Sequence, residues 1–505
     1  MPEKSIAIIG AGLAGLSAGC YARMNGYRVR VFEQDTRPGG LCTSWERKGY
    51  TVHGNMAFVG GSGPRVAYHR LWQELGVVPQ IRMIEYEHLI VFKATDGSTL
   101  AMPNDLDRLE KSWKEFAPED ARRIDDFVGG ARTFARYSVP FEKAPELMSP
   151  ADKVRLLLTR FPLLRAVGKW KKVSITDFAS GFKNPLVRDS LLVWGKIFSA
   201  DLPVALLMAI LAWGHNKSCG FPEGGALKMA RAIESRLVEL GGEVHYRARV
   251  AQVMVEAGRA AGVRLDDGSE HRADYVISAA DGRTTIFDML EGRYINEKVR
   301  GDYRSLPLAA PTIIVGLGVA RTFDDVPWSG AGTVYFLKKS LRIAGQERHE
   351  LRPMIYNFDP TLAPPGKTFV RFYLPSEYDY WSSLARNPAQ YQAEKERIME
   401  TLVSFLDGLY TGLGSRLEMW DVATPLTFER YTGNWKASPL GWDCTTKTFF
   451  MPMRKTLPGL NNFYMAGQWV EPGGGIPTVA VSGRNVVQLV CRQDKKTFEA
   501  GVSRG

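Results

Sequence analysis

The chain has 505 residues, 45 % of them hydrophobic and 24 % charged, the balance of a soluble globular protein with two or more domains or lobes. Its net charge of +11 admits nucleic acid or an anionic membrane surface as a partner. With no zinc spacing, RNA-recognition signature or long basic tail, nucleic acid is excluded.

The first element is a short apolar strand over residues 6–9, read as buried and parallel. Its early start leaves no room for a signal peptide. It runs into Gly10-Ala11-Gly12-Leu13-Ala14-Gly15. In this GxGxxG pattern Gly10 makes the tight turn. Gly12 opens the backbone to a pyrophosphate, and Gly15 lets the next helix lie close to the sheet. That helix, over 14–25, aims its positive dipole end at the phosphates, and Gly26 ends it in a left-handed conformation. A second strand, 29–32, ends at Glu33, roughly twenty residues beyond the glycines, where its carboxylate accepts from ribose hydroxyls. An acid there argues against a 2′-phosphate, and so against NADP. A GxGxxG alone is also met in plain structural turns. Here the strand, helix, second strand and acid follow in order, which favours a dinucleotide site.

Gly39 and Gly40 follow in RPGGLCT, where backbone can approach a cofactor closely. Residues 88–102 alternate as a hairpin about Asp96-Gly97, and 105–134 read as helical. Residues 153–172, KVRLLLTRFPLLRAVGKWKK, carry seven basic residues and no acids among leucines, Phe161 and Trp170. They read as a helix pair broken at Pro162 and lying on an anionic membrane interface; an ordinary basic surface helix is the alternative. The longest apolar run, 202–213, is too short to span a bilayer.

Pro222-Glu223-Gly224-Gly225 restarts the first domain. A helix over 226–240 and strands over 243–247, 250–255, 260–265 and 275–278 follow, closed by Ala279-Ala280-Asp281. Further strands are predicted at 312–319, 333–337, 354–358 and 368–374, and a helix at 388–410. Gly316-Leu317-Gly318 lacks a following helix start, so no second dinucleotide site is predicted. Near the C-terminus, LPGLNNFYMAGQWVEPGGGIPTVAVSGRNVV reads as the segment that closes the first site over a flavin ring. The five cysteines are scattered and none lies in a CxxC, which predicts reduced thiols, a cytoplasmic protein and no metal site.

These readings give an α/β fold. A Rossmann-type FAD-binding domain with a discontinuous parallel sheet (1–84, 220–300, 455–495) is interleaved with a mixed-sheet-plus-helices substrate and membrane-associating domain (85–219, 301–454).

The chain resembles the phytoene desaturase, carotenoid isomerase and retinol saturase superfamily of flavoproteins over nearly its whole length. The likeness rests on GAGLAGLSA, Glu33, RPGGLCTSWERKGYTV, FPEGGALKMARAI, Val250, SAAD, TPLTFERYTGN and the C-terminal block. It implies FAD. Gly10, Gly12, Ala14 and Gly15 would line its diphosphate and Glu33 its ribose. Gly39, Gly40 and Leu41 would run beside the ribityl chain and flavin, and the Val250 backbone would meet the adenine. Gly467 and Gln468 would contact the diphosphate or ribitol. Gly475, Ile476, Pro477 and Thr478 would present a helix N-terminus to the flavin's pyrimidine edge.

Two positions depart from the family. His53 stands where relatives have aspartate, and Glu471 where bacterial phytoene desaturases have histidine. Glu471 is the first candidate for proton transfer or stabilisation of an allylic cation, with a salt bridge as its alternative. His53 is the second, expected to titrate near neutrality or to be a hydrogen-bonded structural residue. Arg430 and Tyr431 line the pocket or hold the lobes together.

The function expected is desaturation or dehydrogenation of a hydrophobic isoprenoid (carotenoid, retinoid or smaller terpene) by hydride transfer to flavin N5. Electrons would leave to a quinone, oxygen or a redox protein, and the enzyme would sit in the cytoplasm, peripheral on the inner face of a membrane. The alternatives are a saturase or cis–trans isomerase, an amine-oxidase-like flavoenzyme, and a flavin-free prenyl-protein-binding module like the Rab GDP-dissociation inhibitors.

Overall fold

The strand Ser5–Ile9 (SIAII) is buried along its whole length, which is why it shows no polar alternation. It sits at the centre of a five-stranded parallel sheet. The order across the sheet is Glu243–His245, Arg28–Phe32, Ser5–Ile9, Tyr275–Ser278 and Phe463–Met465. One sheet is thus assembled from the start, middle and end of the chain. The computed structural model describes residues 3–138, 140–199, 201–473 and 475–501.

Three helices cover one side of the sheet. Leu13–Met24 lies between Gly225–Glu239 and Ile476–Gln493. Glycines set the spacing: a Cβ at Gly19 would stand 3.0 Å from Leu237, and one at Gly483 only 2.3 Å from the Ala14 carbonyl oxygen. Gly26, at φ +70°, ends the first helix as expected. A three-stranded antiparallel sheet, Val250–Glu256, Arg259–Leu265 and Glu270–Arg272, flanks the parallel one.

The rest of the chain builds two further layers. A four-stranded sheet runs Pro353–Ile355, Thr368–Pro375, Thr312–Val319, Leu417–Ala423, and its far face is covered by Pro388–Leu409. A second sheet, Gln346–Leu351, Thr333–Ile343, His88–Lys93, Thr99–Pro103, borders a helical layer whose core includes Val204–His215. Gly316 and Gly318 lie inside Thr312–Val319, where Cβ atoms would meet Val52 and Phe369, and Tyr50, respectively. They make room for the hairpin Ser44–Arg47/Tyr50–His53.

Several boundaries differ from expectation for local reasons. The single helical pattern over 105–134 is two helices, Leu106–Phe116 and Ala121–Arg136, broken at Ala117-Pro118. The strand expected at 333–337 continues to Ile343; charged Lys338, Lys339 and Arg342 hide its half-exposed end. The strand expected at 354–358 is only Pro353–Ile355. The basic segment forms Pro150–Trp170, capped by Ser149 and Asp152 and kinked at Arg160 (φ −126°, ψ 18°), two residues before Pro162.

Candidate functional site

The turn after Ser5–Ile9 is locked before any ligand is considered. Glu33 accepts the Ala11 amide at 2.7 Å and the Asp35 amide at 2.9 Å. Burial raises its carboxyl above the ordinary range against the pull of these bonds. Gly10 takes φ +95°, and a Cβ on Gly15 would sit 1.9 Å from the Gly10 carbonyl oxygen. The N-terminus of Leu13–Met24 is thereby pressed to the sheet edge.

A cavity opens there. Of the residues expected to bind cofactor, Gly10, Gly12, Ala14, Glu33, Gly39, Gly40, Leu41, Val250, Gly467, Gln468, Gly475 and Ile476 line it. Gly15, Pro477 and Thr478 do not. Gly15 is a packing glycine, and Pro477 and Thr478 lie in the first turn of the last helix, behind its opening residues. Both helices that begin at the cavity have glycine N-caps, Gly12 and Gly475. Neither has a side-chain cap or an acid in its first turn. Two sets of unpaired amides and two positive dipole ends therefore share one cavity, an arrangement suited to a diphosphate and to an electron-rich ring edge. The glycines at 12 and 475 leave space there: a Cβ at either would touch nothing within 4 Å. These features fit FAD.

Other lining residues carried weaker signals. Asp281, from the SAAD run, accepts the Thr284 amide at 2.7 Å and the Trp435 amide at 2.9 Å. Asn434, from YTGN, accepts from Trp469 Nε1 at 3.1 Å and Gln468 Nε2 at 3.3 Å. The motifs containing them were visible, but the bonds to Trp435, Gln468 and Trp469 connect segments 34 to 154 residues apart and so had no local signature. Cys42 lines the cavity with its thiol pushed up to about 12 by burial, which suits packing and not redox chemistry. Arg430 and Tyr431 do not line it. Both are exposed, and Tyr431 contributes only a backbone carbonyl, which accepts from Gln34 Nε2 at 3.0 Å.

Neither acid/base candidate is among the residues that line the glycine-rich cavity. His53 is fully buried, stacked on Tyr356 and edge-on to Phe221, with neither ring nitrogen hydrogen-bonded. Burial, reinforced by the Arg371 charge, holds its pKa down at about 3. The expectation of titration near neutrality is overturned: His53 is a neutral ring packed among aromatics. Glu471 pairs with Lys455 at 2.9 Å, and the same ammonium meets Glu146 at 2.9 Å. Burial raises the Glu471 carboxyl, opposed by Lys455.

Two outcomes follow. Gly12 has φ −68° and ψ 173°, ordinary for alanine, and faces open space. Gly12→Ala should leave the melting temperature of the apoprotein within the shift of about 0.5 kcal/mol. Crowding of about 1–3 kcal/mol should cut FAD affinity roughly tenfold or more, measured by flavin release. For His53, the unfolded ring takes up a proton below about pH 6.5, while the folded ring refuses it until about pH 3. Its contribution to stability is thus unchanged above that window and falls on acidification through it, by about 1.4 kcal/mol per pH unit. His53→Leu should remove that slope from denaturant titrations between about pH 6 and pH 4; an unaltered slope would contradict the assignment.

The family model for flavin containing amine oxidoreductases matches residues 13–491. A lycopene-forming phytoene desaturase from Pseudescherichia vulneris is 26 % identical, over 96 % of this chain and 99 % of its own. The chloroplastic prolycopene isomerase of Daucus carota is 24 % identical, over 95 % of this chain and 79 % of its own. An oxidoreductase of known structure from Methanosarcina mazei shares the fold, with a TM-score of 0.61 at 19 % identity over 96 % of this chain and 100 % of that one. The flavin-free alternative falls with the family match. A match that extends from the first cofactor helix to the last establishes that this chain belongs to the flavin containing amine oxidoreductases and is an FAD-dependent oxidoreductase.

Proposed function

We propose that the enzyme desaturates a hydrophobic isoprenoid (a carotenoid, retinoid or smaller terpene) drawn from a membrane surface. The observation that carries this reading is an apolar stripe on Pro150–Trp170. Val154, Leu157, Leu158, Phe161 and Leu164 recur at helical spacing and are exposed, Leu158 at 77 %. Among the described residues only four other large hydrophobics are exposed, and they are scattered. Basic residues flank the stripe, while Leu163 and Trp170 anchor the helix to the protein. Water disfavours such a stripe and a bilayer interface accepts it, with anionic lipids meeting the lysines and arginines. No described helix is long and apolar enough to cross a membrane. Full-length similarity to a phytoene desaturase supports the substrate class.

When bound, FAD supplies a hydride acceptor at N5. The protein's part is to hold the hydrocarbon and exclude water. To Glu471, paired with Lys455 and four residues before the Gly475 cap, we assign electrostatic stabilisation of positive charge developing on an allylic carbon. His53, being neutral, only packs. Double-bond isomerisation is the second reading, favoured by similarity to the prolycopene isomerase.

Anaerobic mixing of the holoenzyme with phytoene, smaller terpenes and amines should bleach the flavin absorbance with an isoprenoid and not with an amine. Isomerised product without bleaching would favour the second reading. Bleaching by amines, with hydrogen peroxide formed in air, would sink both. The membrane contact is tested separately by flotation with phosphatidylglycerol liposomes. Binding should weaken as salt rises. It should also fall at least tenfold in Leu158→Glu/Phe161→Glu, because each apolar side chain contributes about 1.5–3 kcal/mol when buried. Equal flotation of the double variant would remove the stripe from the proposal.

A further inference from the structure

Two arginines lie in the interior with no carboxylate beside them. Arg371, in the strand Thr368–Pro375, is 2 % exposed, and Arg352, just before the neighbouring strand Pro353–Ile355, is 9 % exposed. Arg371 donates to the Gly54 carbonyl at 2.5 Å and to the Met354 sulfur at 3.1 Å, and its Nε has no acceptor. Arg352 donates to the Ala331 carbonyl at 2.6 Å. Among the described residues neither forms an ion pair. Burial and the neighbouring Arg371 bring the Arg352 guanidinium down to about 10, and only the phenols of Tyr373 and Tyr356 oppose this.

The same protein pairs its other buried cations. Arg484 meets Glu74 at 3.4 Å, and Lys455 meets two carboxylates. A buried charge left without a counter-ion is costly, and two like charges near each other more so. The phenol of buried Tyr356 also lacks a partner.

The cluster borders the cofactor cavity. Gly54, which holds Arg371, precedes Asn55, a cavity-lining residue. Thr312 Oγ1 bonds Asn55 Oδ1 at 3.3 Å, and the Tyr373 phenol lies beside Thr312. Tyr373 shares a strand face with Arg371 and keeps accessible surface within an otherwise buried stretch. Arg371 is therefore tied, through Gly54, to the backbone beside the cavity wall.

We propose that Arg352 and Arg371 form a recognition site for an oxyanion, and that the substrate is an isoprenoid ending in an ionised carboxylate or phosphate. The apolar chain rests on the isoprenoid reading above; the anionic end rests on these two arginines. A plain hydrocarbon would leave both charges without a counter-ion, Arg371 having only the Tyr356 ring face at 5.6 Å. Tyr356 and Tyr373 supply hydroxyl donors to the same group.

Calorimetric titration of the FAD-loaded enzyme with farnesoic acid, farnesyl monophosphate and farnesol tests this. At least one of the two anions should bind more than about tenfold tighter than farnesol. The preference should vanish in Arg352→Met and return largely in Arg352→Lys, with flavin content and melting temperature reporting folding. Tyr373→Phe, which keeps both charges, should weaken the preference without abolishing it and serves if Arg352→Met does not fold. The two anions distinguish carboxylate from phosphate. Hexanoate and inorganic phosphate separate the two readings: Arg352-dependent binding of these with no prenyl binding keeps the anion site and discards the isoprenoid. Farnesol binding as tightly as both anions, an unchanged ratio in Arg352→Met, or no anion binding overturns the anion site and leaves the isoprenoid reading standing wherever farnesol binds.

Discussion

The whole cofactor lobe depends on how closely its first and last helices approach. Leu13–Met24 and Ile476–Gln493 meet through Ala14, Ser17, Ala18, Ala480 and Gly483, all small. The Ser17 hydroxyl bonds the Ala480 carbonyl at 2.6 Å, and Gly483 leaves no room for a Cβ against the Ala14 carbonyl oxygen. Ser482, on the same seam, accepts the amide of Gly467 at 2.7 Å. That bond draws the loop after the edge strand Phe463–Met465 onto the helix pair. With the two helices packed this closely, both N-termini open on one cavity. A larger side chain in the seam would part the two dipole ends and leave two weak anion sites in place of one strong one.

The seam is held by few but well-paired charges. The Arg484 guanidinium lies 5.3 Å from the Tyr21 and Phe141 ring centres and 4.8 Å from that of Phe498, beside Glu74, which also takes the Tyr21 hydroxyl. Breaking such a buried pair by removing one partner costs about 3–5 kcal/mol. At the outer end Asp494 accepts from Lys4, Tyr27 and Tyr275, joining the C-terminal end of the last helix to three parts of the sheet lobe. The two buried cations of this lobe, Arg484 and Lys455, each meet a carboxylate, which sets apart the arginines of the other.

The cofactor half was legible in the sequence because its constraints are local and steric. Gly10, Gly12 and Gly26 need particular backbone conformations or open space, and Glu33 follows at a fixed distance along one βαβ unit. These survive in a single sequence as a pattern. The substrate half was less legible. The strand Thr333–Ile343 is half-exposed and charged, so its period is blurred. His53 read either as a titrating group or as a hydrogen-bonded structural one, because residue type says nothing of surroundings, and those come from Phe221, Tyr356 and Arg371, each more than 150 residues away along the chain. The same holds for Lys455, whose partners Glu146 and Glu471 lie on separate segments. Motifs report contacts within one element; charge compensation is settled between elements.

The basic helix and the cofactor helix are not independent parts. The strap leading into Pro150–Trp170 is clamped to Ile476–Gln493. Gln488 accepts the Ala144 amide at 2.7 Å and donates to the Glu142 carbonyl at 2.7 Å, and Arg484 donates to that same carbonyl at 2.6 Å. Glu146, one turn further on, reaches Lys455 and through it Glu471, just ahead of the Gly475 cap. Any force on the amphipathic helix is therefore passed by short hydrogen bonds and a buried ammonium to the helix whose N-terminus faces the cofactor cavity.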